Sequence, residues 1–212
     1  MKLRLTALLV LTLLGGCRHP GDVDEETQGV FAVRSTCPIL GVPSETGDVT
    51  LFNPPDSRDS RAIDVTASIT DVRSVCQDAG NDVVSTATFT IVALRRDAGP
   101  ARQVVLPYFD VALQGGSKIV AKQIGQAALN FAAGDIHAWT RVQATVRVNR
   151  SAATFPANAR AAITRERKPG DPQAAIDPLS DPAIREAVAN ATFEHLIGFQ
   201  LTQDQIRYNA TR

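Results

Sequence analysis

The chain holds 212 residues, balanced at 22 basic and 22 acidic side chains, with 44% hydrophobic content. That balance excludes the strong electrostatic field of a nucleic-acid binder, and the apolar content is ample for a globular core. Three histidines and three cysteines, scattered along the chain, exclude a clustered zinc site.

Met1-Lys2-Leu3-Arg4 is a short positive start. Leu5 to Leu14 (LTALLVLTLL) is too short to span a bilayer as a helix and has the length of a signal-peptide core. Gly15 and Gly16 follow, then Cys17. Leu14-Gly15-Gly16-Cys17 resembles the lipobox of bacterial lipoproteins, and the charge, apolar core, small pair and cysteine all agree with it. The resemblance covers the chain up to Cys17. It implies that residues 1–16 are a signal peptide cleaved before Cys17, whose thiol takes acyl chains of the palmitate kind. The new amino group is usually acylated too. Two or three chains make a stable anchor, so the mature protein is expected to be tethered rather than spanning. In the proteobacterial families it resembles, Asp after the cysteine retains lipoproteins in the inner membrane. Arg18 stands there instead and favours the outer membrane, facing the periplasm. A mature chain of about 200 residues suits one domain.

Residues 17–29 are polar and acidic without periodicity and read as a flexible spacer. A β pattern fills residues 30–150. Val30 to Thr36 and Val49 to Phe52 are expected as strands, and Ile63 to Thr70 alternates apolar with polar. In Val84 to Val92, Thr86, Thr88 and Thr90 face one way and Ala87, Phe89 and Ile91 the other. VVLPYFDVAL and IVAKQIGQAALNF are two more strands. In Arg141 to Asn149, Val142, Ala144, Val146 and Val148 oppose Arg141, Gln143, Thr145 and Arg147. Turn clusters at Asp78 to Asp82, Asp97 to Pro100, Gly115 to Ser117 and Ala133 to Asp135 separate them. Short loops predict antiparallel pairing, and Pro107 predicts an edge or a bulge. About seven strands at this spacing predict a mainly β fold, an antiparallel two-sheet (immunoglobulin-like) sandwich.

Residues 151–180, with Pro156, Pro169, Pro172 and Pro178, read as a linker. Residues 181–212 are expected to form a short C-terminal helical segment. Asp181 is the N-cap and Pro182 the first helical position, with Ile184, Val188, Ala191 and His195 or Leu196 on one face. A second helix is expected at Thr202, where Gln205 completes a capping box.

With Cys17 acylated, Cys37 and Cys76 remain. Outside the inner membrane such a pair is expected to form a disulfide. Closing a loop of roughly 40 residues stabilises by about 3–4 kcal/mol in the chain-entropy model. The alternative, a metal or catalytic thiol, needs partner ligands at suitable spacing, and neither cysteine has any.

No phosphate loop, G-x-G-x-x-G or G-x-S-x-G stands in the sequence. No cofactor, metal or nucleic acid is expected. His19 falls in the spacer, His137 in a turn and His195 on the expected helix, each read as solvated or packed. The one cluster with chemistry is Asp135-Ile136-His137-Ala138-Trp139: Asp135 could orient His137, and Trp139 could stack on a sugar. The plainer reading is a turn leading into a strand, with Trp139 packed at the end of the sandwich.

CPILGVPSETGDVTLFNP, DVTASITDVRSVCQ and LPYFDVAL are similar to stretches of uncharacterised alphaproteobacterial lipoproteins, over residues 37 to about 150. That resemblance implies the β-rich body and the spacing of the two cysteines, and no activity.

Two functions follow as expectations. One is a non-enzymatic interaction module, anchored to the membrane through Cys17 and binding an envelope protein by a sheet edge or the C-terminal segment. The other is a small-ligand or glycan binding protein or enzyme with its site at Asp135, His137 and Trp139. The first predicts an exposed apolar patch; the second predicts a pocket holding titratable groups with displaced pKa values.

Overall fold

The computed structural model describes residues 36–165, 170–172 and 175–211, with the backbone of 23–24 and 29–30. The expected signal peptide, Cys17, and residues 31–35 of the expected first strand lie outside the described residues. The chain divides into two units. In the smaller, β1 (Val23–Asp24) pairs antiparallel with β2 (Gly29–Val30); Val23, Asp24 and Gly29 fall in the expected flexible spacer, and Val30 is the first residue of the expected first strand.

The larger unit is mainly β. Its strands are β3 (Ile39–Gly41), β4 (Asp48–Phe52), β5 (Ile63–Ala79), β6 (Asp82–Arg95), β7 (Arg102–Gln114), β8 (Lys118–Phe131), β9 (His137–Asn149) and β10 (Phe193–Phe199). They form two four-stranded sheets, ordered β3-β10-β7-β8 and β4-β5-β6-β9. Pairing is antiparallel except between β3 and β10, which run parallel. Phe89 and Ile91 of β6 meet Leu129 and Phe131 of β8 and Ile197 and Phe199 of β10 in one apolar cluster. The alternating apolar residues thus make the inner faces of a sandwich.

Turn chemistry sets the hairpins. Gly80 has φ 64° at the first central position of the β5–β6 turn, the position at which a II′ turn needs glycine. Gly115 and Gly116, both at positive φ, carry the chain from β7 to β8. Two other short loops do not make hairpins: the β6–β7 and β8–β9 connections switch sheets.

Buried Arg95 holds those two crossings together. Its guanidinium donates to the carbonyls of Asp135 (2.6 Å), Pro100 (2.8 Å), Gly99 (3.0 Å) and Ala132 (3.1 Å). It also lies over the Phe131 ring. An arginine with its forked donors shared among loop carbonyls ties the two crossings together; the Gly99 and Ala132 carbonyls also accept from the Gly134 and Asp135 N–H groups.

Pro107 lies in an inner strand, and no bulge marks it; the irregularity of β7 falls at Ala112/Leu113. The Pro107 carbonyl accepts from the Gln200 N–H at 2.9 Å, and β10 pairing begins only at Tyr108. The proline nitrogen therefore faces the point where β10 ends and β7 becomes an edge, so the missing donor breaks no ladder. The next two residues cover cross-strand glycines. A Cβ on Gly125 would run into the Tyr108 ring, and one on Gly198 into Phe109 and Thr46. Each glycine leaves room for the aromatic opposite.

The C-terminal third departs most from expectation. The expected linker contains α1 (Ala157–Ile163). Helix α2 (Pro182–Asn190) has the expected Asp181 cap, whose side chain accepts from Ala183 N–H at 2.8 Å. Helix α3 (Gln203–Thr211) carries the expected capping box. Gln205 N–H donates to Thr202 Oγ1, and Thr202 N–H to Gln205 Oε1 at 2.9 Å. Between these helices the expected helical face gives way to β10, which places His195 on a strand. Phe193, His195, Ile197 and Phe199 are buried there, a period of two that a polar residue at an inward position disguises.

Candidate functional site

The expected disulfide is present. Cys37 and Cys76 are bonded with their Cα atoms 6.0 Å apart. Cys37 precedes β3 of one sheet and Cys76 lies in β5 of the other, so the bridge crosses the sandwich. Both pack against Val83, Ala112, Val146, Val148, Ala153 and Phe193.

Asp135, His137 and Trp139 lie where β8 passes into β9. All three are exposed, and the Asp135 carbonyl is engaged by Arg95. Trp139 is not packed at the end of the sandwich: it is 69% exposed. Strand parity explains this. Ala138 is buried, so its neighbours His137 and Trp139 turn to the outer face of the β4-β5-β6-β9 sheet. There Trp139 pairs with Val92 and His137 with Leu94. Val92 and Leu94 are 41% and 44% exposed. The result is a small aromatic and aliphatic patch on a sheet face, ending at an edge strand.

A second constellation was missed from the sequence. Ser85 of β6, His195 of β10 and Asp110 of β7 form a hydrogen-bonded line. Ser85 Oγ is 2.9 Å from His195 Nδ1, and His195 Nε2 is 2.8 Å from Asp110 Oδ1. With Asp110 as carboxylate, Nε2–H donates to it and Nδ1 meets the Ser85 hydroxyl. Serine, imidazole and carboxylate in this order are the parts of a nucleophilic relay. All three are buried, however, and Ser85 and His195 are 0% exposed. A nucleophile must reach its substrate, and this hydroxyl is sealed between two sheets. The line divides the core instead. Ala87, Phe89 and Ile197 lie in the larger apolar cluster on one side, and Val83, Ala112 and Phe193 in the smaller on the other. Each member sits at an inward position of its strand, and that misplaced polarity was the readable signal.

Two open clefts lie elsewhere. One of about 750 Å³ is lined by Asn81, Asn149, Arg150, Thr154 and Phe155, where Arg150 pairs with Asp78 at 2.9 Å. The other, about 420 Å³, lies between Arg58 and the Asp204, Arg207 and Tyr208 side of α3. The resolved pKa shifts have structural causes. Side-chain and backbone hydrogen bonds from Arg61 hold Asp59 low, the Asp64 carboxylate raises Arg102, and burial raises Tyr108. Among the described residues no group of three or more His, Cys, Asp or Glu side chains is placed to hold a metal ion.

No family model and no curated protein matches the chain. Among solved structures, it is similar to a DUF1425 family member from Shewanella sp. pv-4, determined at 1.81 Å resolution. The identity is 12%, the TM-score is 0.25, and the match covers 51% of this chain and 81% of the other.

Proposed function

We propose that the chain is a lipoprotein of the cell envelope, anchored through acyl chains on Cys17 and facing the periplasm from the outer membrane. There it serves as a non-enzymatic interaction module. The observation that carries this reading is the exposed Trp139, set beside Val92 and Leu94 at the edge strand β9. A tryptophan exposed to this extent on a flat sheet face gains most when a partner covers it. The sealed Ser85–His195–Asp110 line fits the same reading, as does a disulfide that suits an oxidising compartment.

The test is cross-linking and co-purification of the full-length protein from intact envelopes, with Cys17→Ala as the untethered control. A stoichiometric envelope protein, diminished in the control, is the expected result. Recovery of the chain with neither an enriched protein nor a cross-linked second copy would count against it.

The alternative is a site for a small ligand or glycan at Asp135, His137 and Trp139. The exposed indole favours it, since sugar rings stack on such faces. It predicts that an oligosaccharide quenches Trp139 fluorescence at saturable concentrations, whereas the interaction module predicts no saturable change.

A further inference from the structure

The chain enters the sandwich at one end, and the register says which. Strand β3 runs parallel to β10, so the chain arrives from the end where β10 begins. Ile39 lies level with Glu194, Glu194 with Leu113, and Leu113 with Ile119. Cys37 and Pro38 therefore enter beside the Gly115–Ser117 turn that joins β7 to β8, and the Cys37–Cys76 bond pins them there. Residues 18–35, which separate this entry from Cys17, reach at most about 65 Å when extended. Trp139 lies at the other end of the sandwich, beside the crossing from β8 to β9.

The entry end carries an apolar surface of its own. Of the first seven residues of β8, Lys118 to Ile124, all but Ala121 are exposed. Ala112 pairs with Ala121 and Leu113 with Ile119, so Val120 is an extra residue in the strand. Bulges re-aim side chains, and this one stands two consecutive branched side chains in solvent: Ile119 is 59% and Val120 42% exposed. Ile39, in the same row, is 62% exposed. Lys118 and Lys122 flank the pair, and β8 contains no acid; Glu194 is the one acid of the row. Lysines and a bulge also protect a sheet edge from strand pairing. That role needs charge and irregularity, and it gives no reason for adjacent exposed aliphatic residues.

We infer that the β7–β8 hairpin rests on the lipid surface, with Ile119 and Val120 in the headgroup boundary and Lys118 and Lys122 on anionic phosphates. The inference deepens the envelope-lipoprotein reading and rests on its anchor at Cys17. Composition selects lipid over protein as the occupant. Protein hot spots are rich in Trp, Tyr and Arg, and lysine is depleted at protein interfaces, whereas this surface offers isoleucine, valine and two lysines. Aliphatic side chains bury into the headgroup boundary while lysines extend to the phosphates. So few apolar residues bind a bilayer weakly by themselves, and the tether supplies the local concentration that a weak contact needs. Docked in this way, the hairpin end of the sandwich faces the membrane and the Trp139 end faces away from it.

The test uses the full-length acylated protein reconstituted into vesicles of phosphatidylcholine and phosphatidylglycerol. Ile119→Cys is labelled with an environment-sensitive fluorophore while Cys37 and Cys76 stay closed as the disulfide. Its emission is expected to shift to the blue. A lipid-borne spin label should quench it several-fold more than it quenches the same label at Val92→Cys, beside Trp139. Lys118→Glu combined with Lys122→Glu should remove most of that difference while the far-ultraviolet circular dichroism stays unchanged; an undiminished difference would take the phosphates out of the contact. A label at position 119 as wet as the one at position 92, in chains that float with the vesicles, would overturn the inference and leave the anchor standing. Chains that do not float would remove the anchor and the inference together. A photo-cross-linker at Ile119 in native envelopes should attach to lipid. A discrete protein adduct there would overturn the inference and make the hairpin a protein-docking surface.

Discussion

Replacing His195 by leucine separates shape from charge at the centre of the core. Leucine fills most of the space of the imidazole, so little cavity remains. Asp110 is then stranded among apolar side chains without its donor. The His195 and Asp110 side chains are 0% and 5% exposed and 2.8 Å apart, so water does little to screen the pair. Removing one partner of such a pair costs about 3–5 kcal/mol. Ser85→Ala leaves Nδ1 without its hydroxyl and should cost about 1–3 kcal/mol. Asp110→Ala combined with His195→Leu strands no charge, so its cost should fall short of the sum of the singles by about 2 kcal/mol. Urea unfolding followed by far-ultraviolet circular dichroism, with the disulfide intact, measures all four variants. A His195→Leu cost below about 1 kcal/mol, or strict additivity, would refute the assignment of the line as a coupled polar layer.

Three further outcomes follow from the geometry. Burial first, and the Asp110 charge second, raise the Tyr108 phenol above its ordinary 10.0. The folded chain holds that proton more tightly than the unfolded chain. Its stabilising share is therefore complete below pH about 10 and is lost as pH rises through the raised folded value. Tyr108→Phe should flatten the alkaline fall in stability, read from melting temperature against pH; an unchanged slope would contradict this. Arg95→Met leaves four loop carbonyls without a shared donor and should cost about 3 kcal/mol, with faster amide exchange at Gly134 and no change of fold. An unaltered exchange rate there would show that the crossings hold without it. Replacing Cys37 and Cys76 together by alanine should lower stability by about 3–4 kcal/mol, measured by denaturant unfolding against the oxidised wild type; a loss near zero would mean the bridge constrains nothing.

Strands with strict alternation were legible in the sequence, because each buries one face. Ile63 to Thr70, Val84 to Val92 and Arg141 to Asn149 lie within strands of the structure for this reason. The two C-terminal caps were legible because Asp181-Pro182 and Thr202-x-x-Gln205 satisfy helix-end groups by local chemistry. Strand β10 was not, because His195 interrupts its inward apolar face and Gly198 its other face, and their reasons lie in Ser85, Asp110 and Phe109, far away in sequence. The same distance hid the buried polar line. Loop length misled at β6–β7 and β8–β9, since the short stretches from Arg95 to Arg102 and from Phe131 to His137 can change sheets as readily as turn a hairpin, and the device that allows it is Arg95 reaching across both. Trp139 was placed in a turn cluster by proximity, whereas strand parity turns it outward. Pairing of Cys37 with Cys76 followed from compartment and count, but which strands it joins needed the topology.

The central claim is that this chain is tethered by Cys17 and presents the Trp139 end of β9 to a protein surface. A photo-cross-linking residue in place of Trp139, activated in intact envelopes, tests both halves at once. The account predicts one discrete protein adduct, from a second copy or another envelope protein, which weakens when Cys17→Ala releases the chain from the membrane. A chain that stays membrane-bound after Cys17→Ala, or an indole position that yields no protein adduct in the anchored form, would contradict it.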